Sequence, residues 1–314
     1  MRVRMLRRVL MTAGAGALLA ALVAVLPATA TSASPGPHYT WTAINVPGQS
    51  YTNPIGVNDF GVVVGTYAVP APAYNHGFIE RGGHFTTIDD PVAVYGTIVT
   101  FDNDLGVIGG FYVDANGINH GFTDIYGRFT TITDPSAGTT PYSDQGTFPE
   151  VENLQGVIAG AYVDNNGAQH GFIDQGGHFT TIDAPNAGTG AGEGTWVGFM
   201  NDLGEMSGTV TENDGSSYTF VDNHGRFTTF FDPASVWTGV ASVNDFGLIV
   251  GDYLDSYGVW NGFVDNNGMY TTVDDPAAAG QGTIPNSSNN LGAIVGYYYA
   301  ANGDQIGFLA TPSH

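Results

Sequence analysis

Along this chain, apolar or alternating runs such as Val62-Val63-Val64-Gly65-Thr66-Tyr67, Gly77-Phe78-Ile79 and Phe85-Thr86-Thr87-Ile88 follow one another, each bounded by Gly, Asn or Asp. Short runs bounded this way predict β-strands, and beyond residue 30 no stretch carries a helical period.

The runs recur in register. An Asn-x-x-Gly-x-x-x-Gly string begins at Asn58, Asn103, Asn153, Asn201, Asn244 and Asn289, with steps of 45, 50, 48, 43 and 45 residues. Thr52, Thr97, Thr147, Thr195, Thr238 and Thr283 each stand six positions before these asparagines. Phe78, Phe122, Phe172, Phe220, Phe263 and Phe308 follow, preceded by Gly in all but the fourth copy. A Gly turn and a last run then close on Pro91, Pro135, Pro185, Pro233 and Pro276. Four runs per unit at this period predict propeller blades. The turns Asp114-x-x-Gly117, Asp164-x-x-Gly167, Glu212-x-x-Gly215 and Asp255-x-x-Gly258 pair an acidic capping side chain with a Gly free to take positive φ.

The two ends complement each other. The sixth unit stops after Phe308-Leu309 without a fourth run, and an orphan run of that kind, Tyr39 to Pro47, opens the chain after its leader. The expectation is an all-β, six-bladed β-propeller of four-stranded blades, closed by the N-terminal strand pairing with the last blade. The Thr-led run would line the axis and the fourth run would lie outermost. Pro54, Pro149 and Pro285, each at the second position after the Thr, suit a strand whose free edge faces a channel. An open β-solenoid is the alternative, and it gives no reason for matching ends.

Composition narrows the partners. All seven basic residues are arginines, and Arg2, Arg4, Arg7 and Arg8 precede an apolar stretch from Val9 to Leu26 and an Ala28-Thr29-Ala30 exit. Residues 1–30 read as an export signal, 31–38 as a linker and 39–314 as one propeller domain, secreted and without a stable membrane anchor after cleavage. Arg7-Arg8 leaves Sec or twin-arginine export open. Removal of the leader takes the net charge from −22 to −26, which disfavours nucleic acid and anionic lipid. With no cysteine, stability outside the cell must come from burial and strand pairing.

The strings His76-Gly77-Phe78, His120-Gly121-Phe122 and His170-Gly171-Phe172, each downstream of an Asn-x-x-Gly-x-x-x-Gly, resemble those of the secreted bacterial repeat family named for its His-Ala-Phe tripeptide. The resemblance spans essentially Tyr39 to Leu309; Gly replaces Ala, and Tyr218, Asn261 and Ile306 replace His in later units. It implies an extracellular repeat protein and no established reaction.

Positions that break a repeat are where a site is sought. The recurrent histidines read as blade structure. Taking alternate residues of the Thr-led run as one face, Glu150 and Glu152 stand where other units carry mostly small or apolar groups, with Asp102 at the level of Glu152. Like charges near an axis raise pKa values, so these residues, with His120, are candidates for acid–base catalysis. Glu150, Glu152 and Asn286 with water are the candidate calcium ligands, calcium being an option rather than a requirement. The bland alternative is a wet channel lining. Tyr95, Tyr142, Trp196 and Trp237, with Tyr257 and Trp260, should share one rim, where rings stack on sugars. No hydrolase elbow, zinc-protease or nucleotide-loop motif is present. Two functions follow: a monomeric binding protein holding a small molecule or glycan at one rim with Trp196, Trp237, Tyr95, Tyr142 and Asn286, or an enzyme (hydrolase, lyase or cyclase) acting in the channel mouth. An interaction scaffold is the third.

Overall fold

The protein is described here from a computed structural model covering residues 38–69, 74–230 and 237–313; the expected export signal, most of the linker and the recurrent Pro233 lie outside the described residues. First strands span Thr52–Val57, Thr97–Asp102, Gly146–Glu152, Gly194–Met200, Trp237–Val243 and Thr283–Ser288. Second strands span Val63–Ala68, Val107–Val113, Val157–Val163, Glu205–Thr211, Leu248–Leu254 and Ile294–Tyr299. Third strands are Asn75–Arg81, Asn119–Ile125, Gln169–Gln175, Ser217–Asn223, Trp260–Asn266 and Gln305–Ser313. Fourth strands are His84–Ile88, Arg128–Ile132, His178–Ile182, Arg226–Phe230 and Met269–Thr272.

Each unit pairs its strands as an antiparallel meander in chain order. Units two to four also form one 12-stranded sheet, because single parallel bridges, Asn119 to Gly146 and Gln169 to Gly194, join neighbouring meanders. The sixth unit receives its fourth strand from the chain start: His38–Ile44 pairs antiparallel with Gln305–Ser313, from His38 opposite Ser313 to Ile44 opposite Gly307. Trp41 meets Phe308 edge-on at 5.0 Å between ring centroids.

Local chemistry accounts for the recurrent residues. Each turn asparagine accepts two backbone N–H bonds on Oδ1, from the residues two and four positions on, which folds the first hairpin around it. The Gly that follows takes positive φ, 73° at Gly61, a region costly for a residue with a Cβ. Thr52, Thr97, Thr147, Thr195 and Thr283 each accept on Oγ1 the N–H of the residue just before a closing proline, tying the fourth strand of one unit to the first of the next. The six phenylalanines are fully buried, each worth roughly 1.5–3 kcal/mol.

The Gly before Phe answers to packing between units. A Cβ on Gly121 would lie 2.5 Å from Pro149 Cγ of the next unit, and one on Gly307 would lie 2.5 Å from Pro54 Cδ. The prolines therefore press on the preceding unit; the expected channel-facing role belongs to their strand edge and not to their rings. In the fourth unit Thr219 replaces Gly, and its hydroxyl donates to the Thr238 carbonyl across the junction.

Candidate functional site

The first strands surround a cavity of about 130 Å³ reached by residues of all six units. Every first strand carries a β-bulge at its third position, the unpaired residues being Ile55, Thr100, Glu150, Gly198, Ala241 and Asn286. An extra residue breaks the alternation of side chains, so three directions replace the single face expected from the sequence. The first position turns to the next unit, as Phe148 does toward Trp196 at 5.2 Å. The bulged residue turns to the axis. Beyond it, the register places the fifth position on the face of the second, against the preceding unit.

Asp102, Glu150, Glu152 and Asn286, the residues singled out on the first strands, all line this cavity. Their directions differ: Glu150 is the bulged residue, while Glu152 shares the face of Pro149 toward the second unit. Asp102 points back to the first unit, its Oδ1 3.3 Å from where a Gly56 Cβ would sit, and both its carboxyl oxygens are buried without a hydrogen-bond partner. Among the described residues no three His, Asp or Glu side chains gather as metal ligands. Asn286 donates its amide to Asn53 Oδ1 at 2.8 Å and to the Pro54 carbonyl at 2.6 Å, bridging the last unit to the first. His120, by contrast, is remote from the channel: two strands out, it stacks on Tyr112 at 5.3 Å, with Nε2 3.4 Å from Asp114. His76 on Tyr67 and His170 on Tyr162 repeat that arrangement.

Burial dominates the electrostatics. It pushes the Glu150 carboxyl up to about 8, opposed by a hydrogen bond from the Trp196 indole. A neutral Glu150 at pH 7 is a donor, beside the space left by Gly198 and Ala241. Burial also lifts Glu152, and it holds Asp102 well above the carboxylate range, with Asp104 adding to the shift and Arg81 opposing it. Asp252, which no sequence signal singled out, is raised to about 7 by burial. It reaches over Gly239, the one first position without a side chain, 3.0 Å from where a Cβ would be. A carboxylate among the second strands, where other units have Thr66, Phe111, Ala161, Thr209 and Tyr297, was the signal available.

The rim at the Thr-led ends carries a run of rings. Tyr95 meets Tyr74 at 5.9 Å and Tyr142 at 6.3 Å, all three on loops between strands. A hydrogen bond to Tyr142 holds the Tyr95 phenol above its ordinary value. Tyr142 is 57% exposed, donates its hydroxyl to the Ala115 carbonyl and lies across Gly117. Tyr142 and Asp144 both adopt left-handed backbone, φ 55° and 61°, strain that persists only where the surrounding structure imposes it. Trp237 and Trp260 pair edge-on at 5.3 Å elsewhere on the rim, and Trp196 packs inward on Phe148.

No family model and no curated protein matches the chain, so the His-Ala-Phe resemblance has no support beyond the strings themselves. Solved structures do match. The Aleuria aurantia lectin in complex with Fucalpha1-6GlcNAc is 11% identical, covering 83% of this chain and 93% of its own, with a TM-score of 0.50. A Dyadobacter fermentans protein of unknown function is 10% identical, covering 89% and 100%, with a TM-score of 0.54. At such identities the likeness concerns fold alone: the chain is an all-β protein with a β-propeller fold.

Proposed function

We propose that the chain is an exported, monomeric, six-bladed β-propeller, closed by its N-terminal strand, that binds a glycan on the Tyr74–Tyr95–Tyr142 rim. The observation that carries this reading is the pair of half-exposed phenols, Tyr95 and Tyr142, in edge-on ring contact and held by the Tyr142 hydroxyl on the Ala115 carbonyl and by the left-handed backbone at Tyr142. Pre-set rings stack on the apolar face of a pyranose, and Asp114, Asn116 and Asp144 nearby supply acceptors for its hydroxyls. The lectin among the structural neighbours is compatible with such a ligand. Glycan-array binding lost in Tyr142→Ala and Tyr95→Ala, with Tm unchanged, is the expected result; no glycan bound by the unaltered protein, or binding unaffected by both substitutions, overturns it.

A second reading rests on Glu150. A carboxyl neutral near pH 7 and facing an axial cavity suits a general acid, with Glu152 and Asp102 lining the same cavity and His120 outside it. Turnover abolished in Glu150→Gln, with the fold intact, would favour it over the binding reading.

A further inference from the structure

The opposite rim, where the first hairpins turn, carries an apolar ring around an acidic mouth. Each of these turns exposes one large apolar side chain: Phe60, Leu105, Leu154, Leu203, Phe246 and Leu291, from 38% exposed at Leu154 to 77% at Phe60. Five of them directly follow a residue of a second, inner ring; in the third unit Leu154 itself occupies the inner position and Gln155 the outer one. That inner ring is Asp59, Asp104, Leu154, Asp202, Asp245 and Asn290, all lining the axial cavity. Its members clasp neighbouring units: Asp59 N–H donates to Asp104, Leu154 N–H to Asp202, Asp202 N–H to Asp245, Asp245 N–H to Asn290 and Asn290 N–H to Asp59. Burial and the neighbouring carboxylates raise Asp104 and Asp202 together, the mark of uncompensated negative charge. At the outer edge of the same rim stand Arg81, Arg128 and Arg226, the only arginines beyond the leader.

We infer that this rim docks a partner polypeptide presenting a lysine or arginine set among apolar side chains, the cation entering the acidic mouth and the apolar residues covering the ring. Exposed apolar surface rimmed by polar groups marks interaction sites, and six large apolar side chains stand exposed on this one rim. Charge selects the occupant. A second copy docking face to face would oppose acid to acid at the centre and arginine to arginine at the edge, and a lipid surface would bury the four aspartates without a counter-charge. A cationic amphipathic segment satisfies both rings at once. This inference is independent of the glycan reading, which uses the other rim.

The test is fluorescence anisotropy with a labelled amphipathic peptide of leucine and lysine, and with the same peptide carrying glutamate for lysine. Two variants of the full protein accompany it. Phe60→Ser with Phe246→Ser and Leu291→Ser strips the apolar ring at constant charge. Asp104→Asn with Asp202→Asn and Asp245→Asn strips the charge while keeping an acceptor, since Asn290 already fills that role. The expected result is saturable binding of the lysine peptide, weakened by salt and at least ten-fold weaker in each variant, with far-UV circular dichroism unchanged. If either triple variant fails to fold, Phe246→Ser and Asp245→Asn singly carry the same comparison. No saturation, equal binding of the glutamate peptide, or binding indifferent to the substitutions overturns the proposal. So does a dimer in sedimentation, or flotation with phosphatidylcholine vesicles, that the serine variant abolishes, since either assigns the ring to a different occupant.

Discussion

The backbone N–H of Asn290 donates to Asp59 Oδ1 at 2.8 Å, joining the sixth unit to the first across 231 residues of sequence. Beside it, Asn289 Nδ2 donates to the Asn58 carbonyl at 2.9 Å. The same pair of bonds recurs between the fourth and fifth units and between the fifth and sixth, so the junction of the chain's two ends is built like an internal one.

Asp59→Ala removes an acceptor at this junction and leaves the Asn290 N–H unpaired. The expected cost is about 1.5–3 kcal/mol in urea unfolding, whereas Asp59→Asn should be close to neutral, because Asn290 serves the fifth unit with an amide oxygen. Equal effects of the two substitutions would deny the acceptor role.

Gly121→Ala places a methyl 2.5 Å from Pro149 Cγ. Overpacking of this order costs about 1–3 kcal/mol. The double variant with Pro149→Ala should recover much of that loss, which a double-mutant cycle in denaturant measures directly.

Glu150 gives stability a pH dependence of definite sign. Its folded value, about 8, lies above that of an unfolded glutamate, so between the two the folded state holds the extra proton and stability falls as pH rises. Glu150→Gln should flatten that decline between about pH 5 and pH 8. Its Tm should match the parent at pH 5 and exceed it at pH 8, by about 2–4 °C for each kcal/mol relieved. A parallel pair of curves would place Glu150 in ordinary solvent.

Removal of residues 38–44 uncovers the edge of Gln305–Ser313 and the face of Phe308 that Trp41 packs against. An exposed edge of this length recruits other chains. The shortened protein should lose cooperative thermal unfolding and sediment as aggregates, and a synthetic peptide of the missing strand should restore the cooperative transition.

Much of this architecture is legible in the sequence, since repeats, turn glycines and capping asparagines act over a few residues. The Asn58 turn needs only its own neighbours, and the spare N-terminal strand advertises the vacancy beside Phe308. The site was less legible. Reading alternate residues as one face joined Glu150 to Glu152; the bulge at Glu150 gives the two different directions, although both line the cavity. Ile55, Thr100, Glu150, Gly198, Ala241 and Asn286 share no residue type, so nothing local announces the bulge.

Strand identity, the repeat and the pairing of the ends follow from local pattern, because turn chemistry and burial act on each segment where it stands. The direction of Glu150, the gathering of Asp102, Glu150 and Glu152 around one cavity and the meeting of Tyr95 with Tyr142 follow from register and from contacts between units. An unpaired residue in one strand is defined only by the strand opposite, and neighbouring loops meet only once the sheets have packed.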